Sequence, residues 1–170
     1  MSGYLIREMK REDLEEVVAL EREVFPSPWT QDLFENELGR GPGFLYLVME
    51  DEGGLLGYAG AHITGSEVHI TNMAVRESRR REGLGSALLA ACVRRGMERG
   101  ARFITLEVRE SNHGARSFYS LFGFEELGLM REYYAESGED AVIMATGDIH
   151  VPEYGRLLDS LEARVARGEG

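Results

Sequence analysis

The sequence predicts an α/β fold in which helices cover a mixed sheet, and three observations support it. Short apolar runs of strand length alternate with stretches of helical periodicity. Consecutive strand patterns are joined by tight Gly-rich turns, the mark of antiparallel neighbours. A further glycine turn, Arg80-x-x-Gly83-x-Gly85, separates a strand pattern from a helix pattern, so the strands flanking that helix run parallel through a right-handed crossover.

In chain order, Tyr4–Arg7 reads as a short strand. From Asp13 an amphipathic helix follows, with Leu14, Val17, Val18, Leu20, Val24 and Phe25 on one broad face. Phe25-Pro26-Ser27-Pro28-Trp29 ends it, because each proline restrains its own backbone and that of its predecessor. This rigid aromatic connection suits a pocket wall and a packed corner equally. Thr30 caps a second helix carrying Leu33, Phe34 and Leu38, and Gly39 stops it. Phe44–Met49 and Leu55–Ile63 are strands joined at Asp51-Glu52-Gly53-Gly54. Gly65-Ser66 turns the chain into a third, Val68–Val75, completing a meander.

The glycine-turn helix carries Leu84, Ala87, Leu88 and Ala91 and runs to about Arg99, before Gly100. Phe103–Val108 is the next strand, with Thr105 and Glu107 on one face and Ile104, Leu106 and Val108 on the other. Ser111-Asn112 caps a helix over Ala115–Phe122, closed by Gly123. Glu126–Tyr134 and Ala141–Ala145 are final strands turned by Ser137-Gly138. In the tail, Glu153–Arg167 places Leu157, Leu158, Leu161 and Val165 at helical spacing. That apolar face is open to three uses: docking on the domain, on a second subunit as a homodimer, or on a partner. The expected division is a domain over residues 1–147 and a helical extension over 148–170.

Composition narrows the function. At 170 residues the chain is one domain able to bury a substantial core. Charges at Arg7, Glu8, Lys10 and Arg11 do not fit a signal peptide, and no apolar run approaches the roughly 20 residues of a membrane span. The single cysteine, Cys92, falls in a helical pattern and reads as a small buried hydrophobe in a cytoplasmic protein. A net charge of −11 argues against nucleic acid, because phosphate contacts need a basic surface, and with no spanning segment no membrane partner is expected. Against that acidity, Arg79-Arg80-Arg81 stands out, placed where a polyphosphate needs counter-charge. A helix N-terminus behind Gly83 and Gly85 presents backbone N–H groups to such an anion. The spacing lacks both the Gly-Lys-Ser/Thr ending of a nucleotide P-loop and the third glycine of a dinucleotide fingerprint.

The loop resembles the acyl-CoA pyrophosphate loop of the GNAT superfamily of N-acetyltransferases. Thr71-Asn72-Met73-Ala74-Val75, Leu106-Glu107-Val108-Arg109, Ser111-Asn112, Phe118-Tyr119, Phe122-Gly123-Phe124, Tyr133-Tyr134 and Glu139-Asp140-Ala141 narrow the resemblance to the RimI-type protein N-terminal acetyltransferases, over roughly residues 4–146. It implies the GNAT fold, β-α-α-β-β-β-α-β-α-β-β with an added C-terminal helix, and acetyl-CoA as cosubstrate without a metal. It also implies a protein N-terminus as acceptor, an alanine of a small-subunit ribosomal protein in the family's named member. In the cofactor site it implies backbone hydrogen bonds from Met73 and Val75, around Ala74, to the pantetheine arm. Arg80 opens the loop in which Arg81, Glu82, Gly83, Leu84, Gly85 and Ser86 hold the pyrophosphate, and Asn112 touches the cofactor, besides serving as a helix cap. Glu107 matches the family's general base and Tyr119 its general acid. Arg80 replaces a common glutamine, and the tail inherits no role.

Amine chemistry agrees with that acceptor. Deprotonating an α-amino group of pKa ~8 at neutral pH costs roughly 1 kcal/mol, whereas a lysine at ~10.4 costs about 4–5 kcal/mol. A carboxylate acting through water suffices for the first. The alternatives are a lysine or small-amine acetyltransferase of the same fold, and a non-catalytic CoA-binding module.

Overall fold

The computed structural model describes residues 3–167. Seven strands form one sheet in the order β1-β2-β3-β4-β5-β7-β6. They are β1 (Leu5–Glu8), β2 (Phe44–Asp51), β3 (Gly54–Thr64), β4 (Glu67–Val75), β5 (Phe103–Arg109), β6 (Glu125–Tyr134) and β7 (Glu139–Ala145). The helices are α1 (Leu14–Val24), α2 (Gln31–Leu38), α3 (Leu84–Glu98), α4 (His113–Leu121) and α5 (Pro152–Ala166). The expected meander is present: β2, β3 and β4 pair antiparallel in succession. The β2–β3 hairpin is tighter than its four turn residues implied, because Asp51 and Gly54 already pair across Glu52-Gly53.

Strand alternation divides the core into two layers. Leu45, Leu47 and Met49 of β2 face α3 and α5, together with Val68, Ile104, Leu106, Val108, Leu88, Leu89 and Val93. Tyr46 and Val48 face the other way, onto α1 and α2, with Tyr58, Ala74, Leu14, Val17 and Phe34. Thr30 caps α2 as its sequence requires, accepting from the Leu33 N–H at 3.3 Å.

Two features depended on distant contacts. β7 inserts antiparallel between β5 and β6, so the last hairpin pairs with β5 through its second strand. The tail helix α5 lies on its own domain. Tyr154, Leu158 and Leu161 are buried in the α3-side core, and Arg94 of α3 reaches Asp159 at 2.6 Å and Glu162 at 2.5 Å. The Tyr154 hydroxyl donates to the Phe122 carbonyl at 3.0 Å. Of the three uses left open for this apolar face, docking on the domain is the one present: Tyr154, Leu158 and Leu161 pack into its core. No helix among the described residues is long and apolar enough to cross a membrane.

Candidate active site

The site is built where two parallel strands separate. β4 and β5 pair over only three positions, Glu67↔Phe103, Val68↔Ile104 and His69↔Thr105. Both strands continue, β4 to Val75 and β5 to Arg109, with no ladder between them. Met73, Ala74 and Val75 are held from the other side by Ala59, Tyr58 and Gly57 of β3, so β5 leaves their outer edge open. A register shift between Gly60 and Ala61 opposes Asn72 and Ile70, and such a bulge bends a strand. Only glycine fits at position 60, since a Cβ there would lie 2.3 Å from the Tyr46 ring and 2.7 Å from Asn72 Oδ1.

From Val75 the chain passes through a 3-10 turn at Glu77–Arg79 into the glycine loop. The three arginines have different duties. Arg79 is a strut, bound to Asp51 at 3.0 Å and to Glu82 at 2.7 Å. Arg80 and Arg81 are exposed, Arg80 only 4.0 Å from Glu77. Arg81 and Gly83 both adopt left-handed backbone, with φ of +67° and +78°. Gly83 is the N-cap of α3, and no side chain caps that helix. The N–H groups of its first turn have no intrahelical acceptor, and the helix dipole adds positive potential there. Two exposed guanidiniums beside an uncapped, glycine-led helix N-terminus fit a pyrophosphate. Two expected contributors are limited to their backbone: the Glu82 carboxylate is taken by Arg79, and the Leu84 side chain is in the core. Asn112 does cap α4, accepting the Ala115 N–H at 3.1 Å through Oδ1, which leaves its amide NH2 for a ligand.

Glu107 lies one alternation beyond the last β4–β5 pair. Its Oε2 is 2.6 Å from His69 Nε2. The hydrogen bond to Glu107 raises the His69 pKa against the opposing effect of burial, and the Glu107 and Glu67 charges raise it further. Thr105 donates to the Glu67 carboxylate next to the pair. Tyr133 and Tyr134 complete this side. Burial raises both phenols, Tyr134 to about 12, and the nearby Glu107 charge adds to each shift. Arg109 sits 4.0 Å from the Tyr134 ring centre and pairs with Glu136 of the β6–β7 connection and with Glu139, the first residue of β7.

Tyr119 projects from α4 against the α3-side core, its ring 5.2 Å from Phe118 and 5.6 Å from Phe124. Burial pushes its hydroxyl up to about 12, with Cys92 and Tyr134 adding to the shift. Cys92 is buried and its thiol is pushed up to about 12, so it behaves as the packing residue that its helical position predicted. Sequence reasoning singled out neither His69 nor the tyrosine pair as site residues. His69 carries a usable signal: in β4 it shares its face with the open side of the sheet, as Glu107 does in β5.

A strand pair that splays beside a glycine-led helix N-terminus fits a CoA-dependent acyltransferase. The chain belongs to the acetyltransferase (GNAT) family, whose sequence pattern matches residues 14–124. Within it, the chain is 42% identical over 139 residues to a candidate ribosomal protein bS18-alanine N-acetyltransferase of Bacillus subtilis, covering 82% of this chain and 92% of that one. It is 31% identical over 142 residues to the ribosomal protein bS18-alanine N-acetyltransferase of Escherichia coli, covering 82% and 95%. The crystal structure of the ribosomal-protein-S18-alanine N-acetyltransferase from Escherichia coli superposes with a TM-score of 0.80 at 29% identity, covering 89% of this chain and 97% of that one. The chain is thus an acetyltransferase with the expected fold, and enzymes of this family use acetyl-CoA.

Proposed function

We propose that this protein transfers the acetyl group of acetyl-CoA to the N-terminal α-amine of a protein in the cytoplasm, specifically an N-terminal alanine of a small-subunit ribosomal protein. The names of its relatives in Bacillus subtilis and Escherichia coli support the acceptor. The observation that carries the chemistry is the His69–Glu107 contact at the point where β4 and β5 part. In this reading Met73, Ala74 and Val75 bind the pantetheine arm through their open backbone edge. Arg80, Arg81 and the backbone from Glu82 through Gly83, Leu84 and Gly85 to Ser86 bind the phosphates, and Asn112 contacts the cofactor through its amide.

Acetyl-CoA supplies the activated acyl group, and the protein manages protons around it. Glu107 Oε2 is held by His69, so Oε1 takes a proton from the substrate ammonium through a water. The amine nitrogen then bonds to the acyl carbon, and the carbon–sulfur bond breaks with its electron pair going to sulfur. The second proton shed by the nitrogen passes through water to that thiolate, leaving the amide and the CoA thiol. Tyr119, fully protonated because burial raises it to about 12, donates a hydrogen bond to the sulfur. A thiol near ~8.5 is a stronger acid than such a phenol. Tyr119 therefore stabilises the developing thiolate charge before any complete proton transfer. The acidic chain, with net charge −11, suits a basic protein partner better than nucleic acid or membrane.

The test compares a peptide with a free N-terminal alanine and its N-blocked, lysine-containing twin. Rapid thiol release with the first and little with the second supports the proposal. Equal rates, or preference for the blocked peptide, would reassign the enzyme to side-chain amines.

A further inference from the structure

We infer that Tyr154 of α5 is a positioning residue for Tyr119: by holding the carbonyl at which α4 ends, it fixes the turn that sets where the Tyr119 hydroxyl points. The last carbonyls of a helix have no intrahelical donor, and one left buried and unpaired is costly. Phe122 is the C-cap of α4 and is 1% exposed. Its carbonyl accepts the Tyr154 hydroxyl at 3.0 Å, from a side chain 32 residues further along the chain. Burial pushes that hydroxyl up to about 12, so it stays protonated and donates. The next residue, Gly123, takes a left-handed backbone with φ of +80°, and a Cβ there would lie 3.2 Å from the Tyr154 ring and 3.5 Å from Leu157. Helix α5 thus lies directly on the turn that closes α4.

The same turn holds Tyr119. The Tyr119 carbonyl accepts two N–H groups from it, Phe122 at 2.9 Å and Phe124 at 3.2 Å. The Tyr119 ring meets the Phe124 ring at 5.6 Å, while the Phe122 ring packs on Phe118 at 5.5 Å. Backbone and ring of Tyr119 are therefore both fastened to the segment on which α5 bears, and a shift of that segment carries the Tyr119 hydroxyl with it. The other end of α4 is anchored separately. There the Ser111 N–H donates to Glu139 at 2.8 Å, and Asn112 Oδ1 caps the helix. Arg116 reaches the Glu110 carbonyl at 2.7 Å and Glu126 at 2.8 Å. Loss of the Tyr154 bond should thus disturb Tyr119 and spare Asn112. Helix α5 follows the matched residues 14–124, so the tie comes from outside the family pattern. The inference rests on the proposed function for the role of Tyr119 as hydrogen-bond donor to the sulfur.

The experiment measures steady-state kinetics on the alanine peptide, with the full chain carrying Tyr154→Phe, Tyr119→Phe or both. Tyr154→Phe keeps the ring and removes one oxygen. It should lower kcat by about five- to tenfold, since a small misplacement of a group at the reacting atoms slows a reaction by at least that order. The KM for peptide and the affinity for acetyl-CoA should stay close to wild type. Added to Tyr119→Phe, the substitution should cost nothing further, because the hydroxyl it positions is already gone. Leu161→Ala is the control: it trims another buried residue of α5, two turns from Tyr154, and should lower stability with kcat near wild type. A wild-type kcat in Tyr154→Phe, an undiminished loss in the Tyr119→Phe background, or an equal kcat loss in Leu161→Ala would overturn the inference. Should Tyr154→Phe not fold, Leu157→Ala loosens the same turn and must show the same kcat loss in weaker form, again absent in the Tyr119→Phe background. A wild-type rate in Tyr119→Phe would overturn the donor role itself and the inference with it. A slowed Tyr119→Phe beside an unaffected Tyr154→Phe would overturn the inference alone.

Discussion

His69 of β4 and Glu107 of β5 touch at 2.6 Å across the last step at which their strands are still paired. Because His69 registers with Thr105, Glu107 reaches back one alternation to make the contact, and one carboxylate oxygen remains for the substrate side. Each group is the other's hydrogen-bond partner, so removing either one abolishes the same contact. Their loss should be non-additive. Glu107→Gln should lower kcat/KM by about 10²–10⁴-fold, the usual contribution of a general base. His69→Gln should cost less, and adding it to Glu107→Gln should cost nothing further. Additive losses in a double-mutant cycle would show that the two act separately.

The same contact makes stability depend on pH. The His69 pKa is raised by its hydrogen bond to Glu107, so in the folded state it lies above the unfolded value of about 6.5. The stabilisation is complete below that unfolded value and fades as pH rises through the folded value. Thermal unfolding of wild type and His69→Gln should therefore differ most under mildly acidic conditions and converge in alkaline buffer. A constant difference across that range would mean that the charge on His69 does not contribute as described.

In the glycine loop, Arg80→Ala or Arg81→Ala should weaken acetyl-CoA binding by about tenfold, the order of one lost charge-assisted contact, and should flatten the salt dependence of binding. Arg79→Ala should act differently, because Arg79 braces Asp51 and Glu82. It should lower stability as well as affinity. Calorimetry at two ionic strengths, with melting curves, separates these effects. Equal behaviour of all three variants would contradict the assignment of Arg79 as a strut.

Helix α5 is part of the core, so deleting it has a structural price. Leu158→Ala should destabilise the protein by about 2–5 kcal/mol, as for other fully buried leucines. Truncation after Thr146 should do more, because it removes Tyr154, Leu158 and Leu161 from the core together and exposes the face of α3 that they cover. Denaturant titration of both variants provides the check. A truncated chain as stable as wild type would show that α5 merely rests on the surface.

Local pattern was enough for most of the elements, since apolar alternation, proline breaks and glycine turns act over a few residues. The glycine loop was readable for the same reason: the glycines, the helix start and the arginines are contiguous. Glu107 was placed on the right face by alternation alone, although its role came from the family resemblance. What sequence could not supply were contacts made by register. His69 becomes a partner of Glu107 only because β4 and β5 align His69 with Thr105 before parting. The position of β7 between β5 and β6, and the docking of α5 on α3, are likewise non-local choices.

The central claim is that Glu107 takes the proton of an α-ammonium, and a pH–rate profile tests it most directly. The measurement is kcat/KM for wild type, Glu107→Gln and Tyr119→Phe on one alanine-initiated peptide, with acetyl-CoA affinity determined separately. Glu107→Gln should lose most activity at low pH and recover partly as the solution deprotonates the amine, around its pKa of ~8. Tyr119→Phe should be slowed without comparable recovery, because rising pH supplies no donor to the sulfur. Parallel profiles for the two variants, or near-wild-type rates for Glu107→Gln, would contradict this assignment and place the base elsewhere.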